Sequence, residues 1–193
     1  MQFTCTKENL SQALALVSPI ANRQTNLPIL TNVLLVATDA KVELIATNLE
    51  VAVRVHIRAK VDEKGSFTVP AKTLADFVAL LPEEQVNISL QENQLNISCG
   101  PSSTKIKGAP AEEFPVLPDI EEQHTYTARV ENLKQALART LLAAAKNDIR
   151  PELSGVYFGF FTDRHAGLTL AATDSYRLAE AKVELEQGKD EVK

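Results

Sequence analysis

KENLSQALA at residues 7–15 returns 123 positions later as VENLKQALA at 130–138, and this pair sets the reading of the whole chain. The offset extends well beyond those nine residues. Laid over each other without gaps, 4–35 and 127–158 share 12 of 32 positions, with Pro28 on Pro151, Leu30 on Leu153 and Val33 on Val156. After a three-residue insertion in the second copy, LIATNLEVA at 44–52 lies over LAATDSYRLA at 170–179, apart from one residue. Similarity sustained over such a span marks a duplicated structural unit.

A weaker copy lies between them. FTCTKENLSQAL at 3–14 resembles FTVPAKTLADFV at 67–78, an offset of 64. The apolar stripe repeats at i, i+3, i+4 and i+7: Leu10, Ala13, Leu14 and Val17; then Leu74, Phe77, Val78 and Leu81; then Leu133, Ala136, Leu137 and Thr140. Each set predicts an amphipathic helix with one buried face. The opposite faces, with Ser11, Gln12, Asp76, Lys134 and Gln135, stay in water.

Strands fill the intervals. Val51, Val53, Val55 and Ile57 alternate with polar or small residues, which predicts a strand with one wet face. Residues 86–99 read as a hairpin turning at Gln91–Asn93; Val42, Leu44 and Ala46 predict another strand, and Ala181, Val183 and Leu185 one more. The unit is a strand, a helix and about three strands, present twice in 1–107 and once in 125–186. The fold class is therefore α+β, with helices on one face of antiparallel sheets. Between the copies, GAPAEEFPVLPDIEEQ at 108–123 holds three prolines and five acids with no basic residue, and reads as an ordered linker. Domain boundaries follow at 1–122, with two units, and 123–193, with one unit and hence half built.

Composition narrows the function. The 193 residues are 45% apolar, enough for a buried core, and carry 20 basic and 25 acidic side chains for a net charge of −5. That balance argues against a uniformly basic surface. Ten aromatics without tryptophan are too few for a base-stacking platform. The N-terminus lacks the pattern of a signal peptide, and no apolar run approaches the length of a membrane span, so the reading is a soluble, cytoplasmic chain. Cys5 and Cys99 read as two buried thiols, with one disulfide as the alternative. His56, His124 and His165 have no metal-site spacing. No phosphate-cradling loop, dinucleotide fingerprint or nucleophile elbow occurs. Tyr176-Arg177 lacks the lysine a tyrosine-dependent reductase would carry, since Glu180 stands there, and the acid pairs at 112–113 and 121–122 read as solvated linker charge. The chain reads as no enzyme, with neither cofactor nor metal.

LPILTNVLL at 27–35, TVPAKTLADFV at 68–78, GAPAEEFPVLP at 108–118 and AATDSYRLA at 171–179 together resemble the bacterial DNA polymerase III β subunit, the sliding clamp. The likeness runs along essentially all 193 residues. It implies the DNA clamp fold: three similar domains per chain, two chains head to tail in a homodimeric ring around duplex DNA, helices lining the hole. This chain then supplies the first domain and about half of the second, without the third. The function implied is a non-catalytic processivity factor that tethers the replicative polymerase, the clamp loader and repair proteins through short linear motifs. The alternative is a stand-alone protein-interaction module that uses the clamp unit without encircling DNA.

Charge fits a DNA-facing helical layer. Segments 7–23, 70–81 and 131–150 sum to +3, leaving −8 for the rest. Phosphate contacts carry no sequence information, so a mildly basic lining suits a protein that slides. The resemblance assigns DNA contact to Arg23 and Gln24, the family's usual arginine falling on Gln24, and to Lys72, Lys146 and Asn147. It assigns a hydrophobic pocket for partner peptides to Leu153, Thr173, Ser175, Tyr176, Arg177 and Leu178, with Ser175 and Tyr176 in place of the family's Gly and His. Arg150 lies near both sites and is assigned to neither. The first domain's edge strand near Thr104–Ile106 is where the family pairs with a third domain of another chain. A chain of this extent is expected neither to close a ring nor to bind clamp peptides tightly.

Overall fold

The computed structural model describes residues 1–21, 27–39, 41–118, 124–146 and 150–187. The chain divides into two compact units, Met1–Pro118 and Asp119–Lys193.

The first unit begins with β1 (Gln2–Thr6), α1 (Lys7–Ala21), β2 (Asn32–Ala37), β3 (Val42–Thr47) and β4 (Ala52–Ile57). After β5 (Lys60–Glu63) the pattern repeats as β6 (Gly65–Pro70), α2 (Ala71–Ala79), β7 (Gln85–Gln91), β8 (Gln94–Cys99) and β9 (Ser102–Lys107), and β10 (Ala109–Pro110) follows. The two repeats exchange their first strands. β1 pairs antiparallel with β7 of the second repeat, and β6 pairs antiparallel with β2 of the first. Two five-stranded sheets result, ordered β5-β1-β7-β8-β9 and β10-β6-β2-β3-β4. The reason is burial. Phe3, Leu10, Leu14 and Leu35 from one repeat and Phe67, Leu74, Val78 and Ile88 from the other form one cluster, each at most 2% exposed. Neither repeat could bury both its helix and its sheet face alone.

Local chemistry places the elements. The four apolar positions predicted for α1 are all buried, and α1 packs on β3, β4 and α2. Glu92 and Asn93 both have positive φ, 45° and 60°, the two-residue turn that matches strand twist. Cys5 and Cys99 are buried free thiols.

Two predicted segments differ in the structure. Residues 108–123 do not begin as linker: Ala109 and Pro110 add an edge strand to β6, and Phe114 is buried at 5% exposure. A proline is tolerated there because an edge strand leaves its N–H side unpaired. The strand expected through Ala181, Val183 and Leu185 is two strands, because the chain leaves one sheet for another at the exposed Glu184.

The second unit holds β11 (Thr127–Ala128), α3 (Val130–Thr140), β12 (Tyr157–Thr162), β13 (His165–Thr173), β14 (Leu178–Val183) and β15 (Leu185–Gln187). β12, β13 and β14 form a three-stranded sheet, and β11 pairs with β15 as β1 does with β5. Leu170 is fully buried, and Ala136, Leu168, Ala181 and Val183 surround it.

Candidate functional site

The turn between β13 and β14 is built twice in this protein. In the second unit the Thr173 hydroxyl accepts the Ser175 amide at 3.1 Å and donates to the Arg177 carbonyl at 2.7 Å. Asp174 Oδ1 accepts the amides of Tyr176 and Arg177, each at 3.0 Å. In the first unit Thr47 does the same for Leu49 and Val51, both at 3.0 Å, and Asn48 Oδ1 accepts the amides of Glu50 and Val51 at 3.1 and 2.8 Å. The third residue is left-handed in both, with φ of 74° at Leu49 and 77° at Ser175. That conformation explains why the clamp motif carries glycine at this place.

The turn alone is thus a structural device, and its decoration makes the difference. Where the first unit has Glu50 and Val51, the second has Tyr176, 97% exposed, and Arg177, whose Nε donates to Asp174 Oδ2 at 3.0 Å. Amide donation from Tyr176, then from Arg177, together with the Arg177 guanidinium, holds the Asp174 carboxyl below the ordinary carboxylate range.

A second segment meets this turn. After α3 the chain forms a short 3₁₀ turn at Leu141–Ala143, and Ala143 and Ala144 pack against Ala172. Pro151 opens another at Pro151–Leu153, and the Ala145 amide donates to the Leu153 carbonyl at 2.9 Å. Arg150 Nη1 then reaches Ser175 Oγ at 3.3 Å. The open groove between these segments, about 440 Å³, is lined by Ala144, Ala145 and Leu153, by Lys146 and Arg150, and by residues 174–177. It combines an apolar floor with three cations against one carboxylate. Such a surface suits a short peptide with an apolar side chain and an acidic group.

Of the residues assigned by sequence to a peptide pocket, Leu153, Ser175, Tyr176 and Arg177 come together here. Thr173 is spent on the turn, and Leu178 stands beyond it at 71% exposure. Lys146, read as DNA-facing, lines this groove, as does the unassigned Arg150. Lys72 is exposed on the first turn of α2. Arg23, Gln24 and Asn147 lie outside the described residues. The floor residues Ala144 and Ala145 were missed by sequence reasoning, although the alanine run 143–145 before a lysine was their available signal.

Among the described residues no group of three His, Cys, Asp or Glu side chains is arranged to hold a metal ion. No helix among them is long and apolar enough to cross a membrane.

Residues 1–118 match the sequence model of the DNA polymerase III beta subunit N-terminal domain, and residues 127–193 that of its central domain. The beta sliding clamp of Synechococcus elongatus is 34% identical over 189 residues, covering 95% of this chain and 49% of that protein. The Halalkalibacterium halodurans clamp is 31% identical over 201 residues, covering all of this chain and 52% of that one. Among solved structures, the sliding clamp of Bartonella birtlesii, bound to griselimycin, superposes with a TM-score of 0.88 at 30% identity, over 97% of this chain and 51% of that one. The Pseudomonas aeruginosa DNA polymerase III subunit beta gives 0.84 at 30%, over 98% and 52%. The chain belongs to the bacterial DNA polymerase III beta subunit family, the beta sliding clamps. It spans about half the length of these relatives.

Proposed function

We propose that this chain is part of a sliding clamp: a cytoplasmic, non-catalytic processivity factor that encircles duplex DNA as a homodimeric ring and tethers the replicative polymerase, the clamp loader and repair proteins. The observation that carries the reading is the succession of two clamp domains, N-terminal then central, along one chain. Lys72, exposed on α2, supplies phosphate contact, and the same role goes to Arg23, Gln24, Lys146 and Asn147. The groove between 144–153 and 174–177 takes partner peptides: Leu153 and Tyr176 hold the apolar side chain, Arg150 and Arg177 the acidic group. Thr173 acts by holding the wall, and Leu178 extends it. The first clamp domain takes residues 1–122 and the second begins at residue 123.

Duplex association of the 193-residue chain, followed as ionic strength rises, tests the reading. Binding through phosphates weakens linearly on a log–log plot. Absence of any salt-dependent DNA association would instead favour the second reading, a protein-interaction module. That reading is favoured by the groove lying wholly within one unit.

A further inference from the structure

The register of the first sheet lines up side chains from three strands. Lys60 of β5 faces Thr4 of β1, and Thr4 faces Asn87 of β7, so the three share one side of the sheet. Two residues along, Thr6 faces Gln85 on that same side. The alternate residues Phe3 and Cys5 are buried in the core. Past the end of β4 the chain crosses to β5 through Arg58 and Ala59, and there an open cleft of about 510 Å³ lies between this row, Arg58 and Asn9 of α1.

The cleft is rich in hydrogen-bond donors. None of its lining residues is acidic, and two, Arg58 and Lys60, are cations, in a chain whose net charge is −5. Thr4 Oγ1 donates to Asn87 Oδ1 at 2.8 Å, which engages the acceptor of that amide and leaves its N–H groups unused. The Thr6 hydroxyl accepts the Asn9 backbone amide at 3.3 Å and keeps its own hydrogen to donate. Among the described residues Arg58 makes no ion pair, and the side-chain amides of Asn9 and Gln85 make no hydrogen bond.

Neighbouring cations are placed differently. Glu43 gathers Lys41, Arg54 and His56, so the charges along β4 already have a carboxylate, whereas Arg58, two residues after His56, has none. Lys60 meets Asp62 at 3.0 Å, and Asp62 does not line the cleft. With Lys60 80% exposed, that pair contributes little, and the ammonium can exchange its partner for a ligand.

We propose that this cleft binds the phosphate group of a phosphate ester, with Arg58 and Lys60 neutralising its charge and Thr6, Asn9, Gln85 and Asn87 donating to its oxygens. Donors that converge from two strands and a helix suit a tetrahedral oxyanion with three or four accepting oxygens, whereas a planar carboxylate offers two. The guanidinium adds a rigid fork that matches two phosphate oxygens. A cleft of about 510 Å³ has far more room than a bare phosphate fills, so the group arrives on a larger molecule, a nucleotide or a nucleic-acid backbone. The site stands apart from the clamp reading, since Lys72 does not line it and the groove of the second unit plays no part.

The test follows the Arg58 Nε signal and the side-chain amide signals of Asn9, Gln85 and Asn87 by NMR as inorganic phosphate is added, against sodium chloride at equal ionic strength. These signals are expected to shift with half-saturation on the order of 1 mM. Arg58→Gln is expected to weaken the binding on the order of tenfold. Asn87→Asp keeps the oxygen that Thr4 bonds and sets a negative charge in the cleft, so it is expected to abolish the shifts with circular dichroism unchanged. Thymidine monophosphate against an oligothymidylate of equal total phosphate then names the source: tighter binding of the oligomer assigns a nucleic-acid backbone, and equal or weaker binding a nucleotide. Signals that move no further with phosphate than with chloride would overturn the proposal. So would a titration that Arg58→Gln and Asn87→Asp leave unchanged, or one that Lys72→Ala abolishes, which would put the phosphate on α2 instead.

Discussion

Thr173→Val replaces one hydroxyl by a methyl and leaves the side chain's shape nearly unchanged. The lost oxygen serves two backbone groups, the Ser175 amide and the Arg177 carbonyl. Two hydrogen bonds at roughly 0.5–1.5 kcal/mol each give about 1–3 kcal/mol. Water reaches this turn, so the lower half applies and the expected loss is about 1–1.5 kcal/mol. Thr47→Val removes the same two bonds from the equivalent turn, but Thr47 is only 1% exposed. Backbone groups left unpaired in a drier site cost more, about 2–3 kcal/mol. The protein offers a convenient probe: it lacks tryptophan, and its three tyrosines, Tyr126, Tyr157 and Tyr176, all lie in the second unit. Tyrosine emission in urea therefore follows that unit alone, while circular dichroism follows both. With a slope near 1 kcal/mol per molar urea for a unit this small, Thr173→Val lowers the tyrosine midpoint by roughly 1 M. An unmoved tyrosine transition, or a larger loss for Thr173→Val than for Thr47→Val, would refute the account of this turn as held by the hydroxyl and graded by burial.

Four further outcomes are expected. Asp174→Asn keeps the acceptor oxygen that Asn48 already supplies in the first unit, so it retains the turn, whereas Asp174→Ala loses it and weakens any peptide bound in the groove. Because the folded carboxyl of Asp174 titrates below its unfolded value, its contribution is full above about pH 4 and is lost as pH falls through the lower folded value; tyrosine-monitored urea midpoints should show this acid loss in the native chain and a reduced one in Asp174→Asn. Burial pushes the Cys5 thiol up to about 12, so alkylation near pH 8 should be on the order of a thousandfold slower than for a free thiol, and should recover in urea. Lys72→Ala should weaken duplex association equally for all sequences and reduce the salt slope by about 1, as measured by fluorescence anisotropy.

Much of the architecture was legible in the residues. All three helices stand where the apolar stripes put them, because a 3.6-residue period survives in any context that buries one face. The hairpin 86–99 was equally open to reading, from its alternation and its Glu92-Asn93 turn. β5 was not: among Lys60–Glu63 only Val61 is apolar, so a charged edge strand has no pattern to detect. β10 was hidden for the opposite reason, since prolines normally speak against a strand and only an open edge admits one. The division of 181–187 into two strands was also unreadable, because Leu185 continues the alternation of Ala181 and Val183 while pairing in another sheet.

The site follows the same rule. The duplicated turn motif lay in plain view at 46–52 and 172–178, yet its two copies have the same hydrogen bonds, and no pattern in either says which one borders a groove. That depended on bringing Ala144, Ala145, Arg150 and Leu153 alongside it. Sequence by itself determined the repeat, its helices and most of its strands, because propensity and periodicity are properties of neighbouring residues. Tertiary structure alone decided the exchange of first strands between repeats and the assembly of the groove. These rest on burial shared between segments far apart in the chain, which no local pattern records.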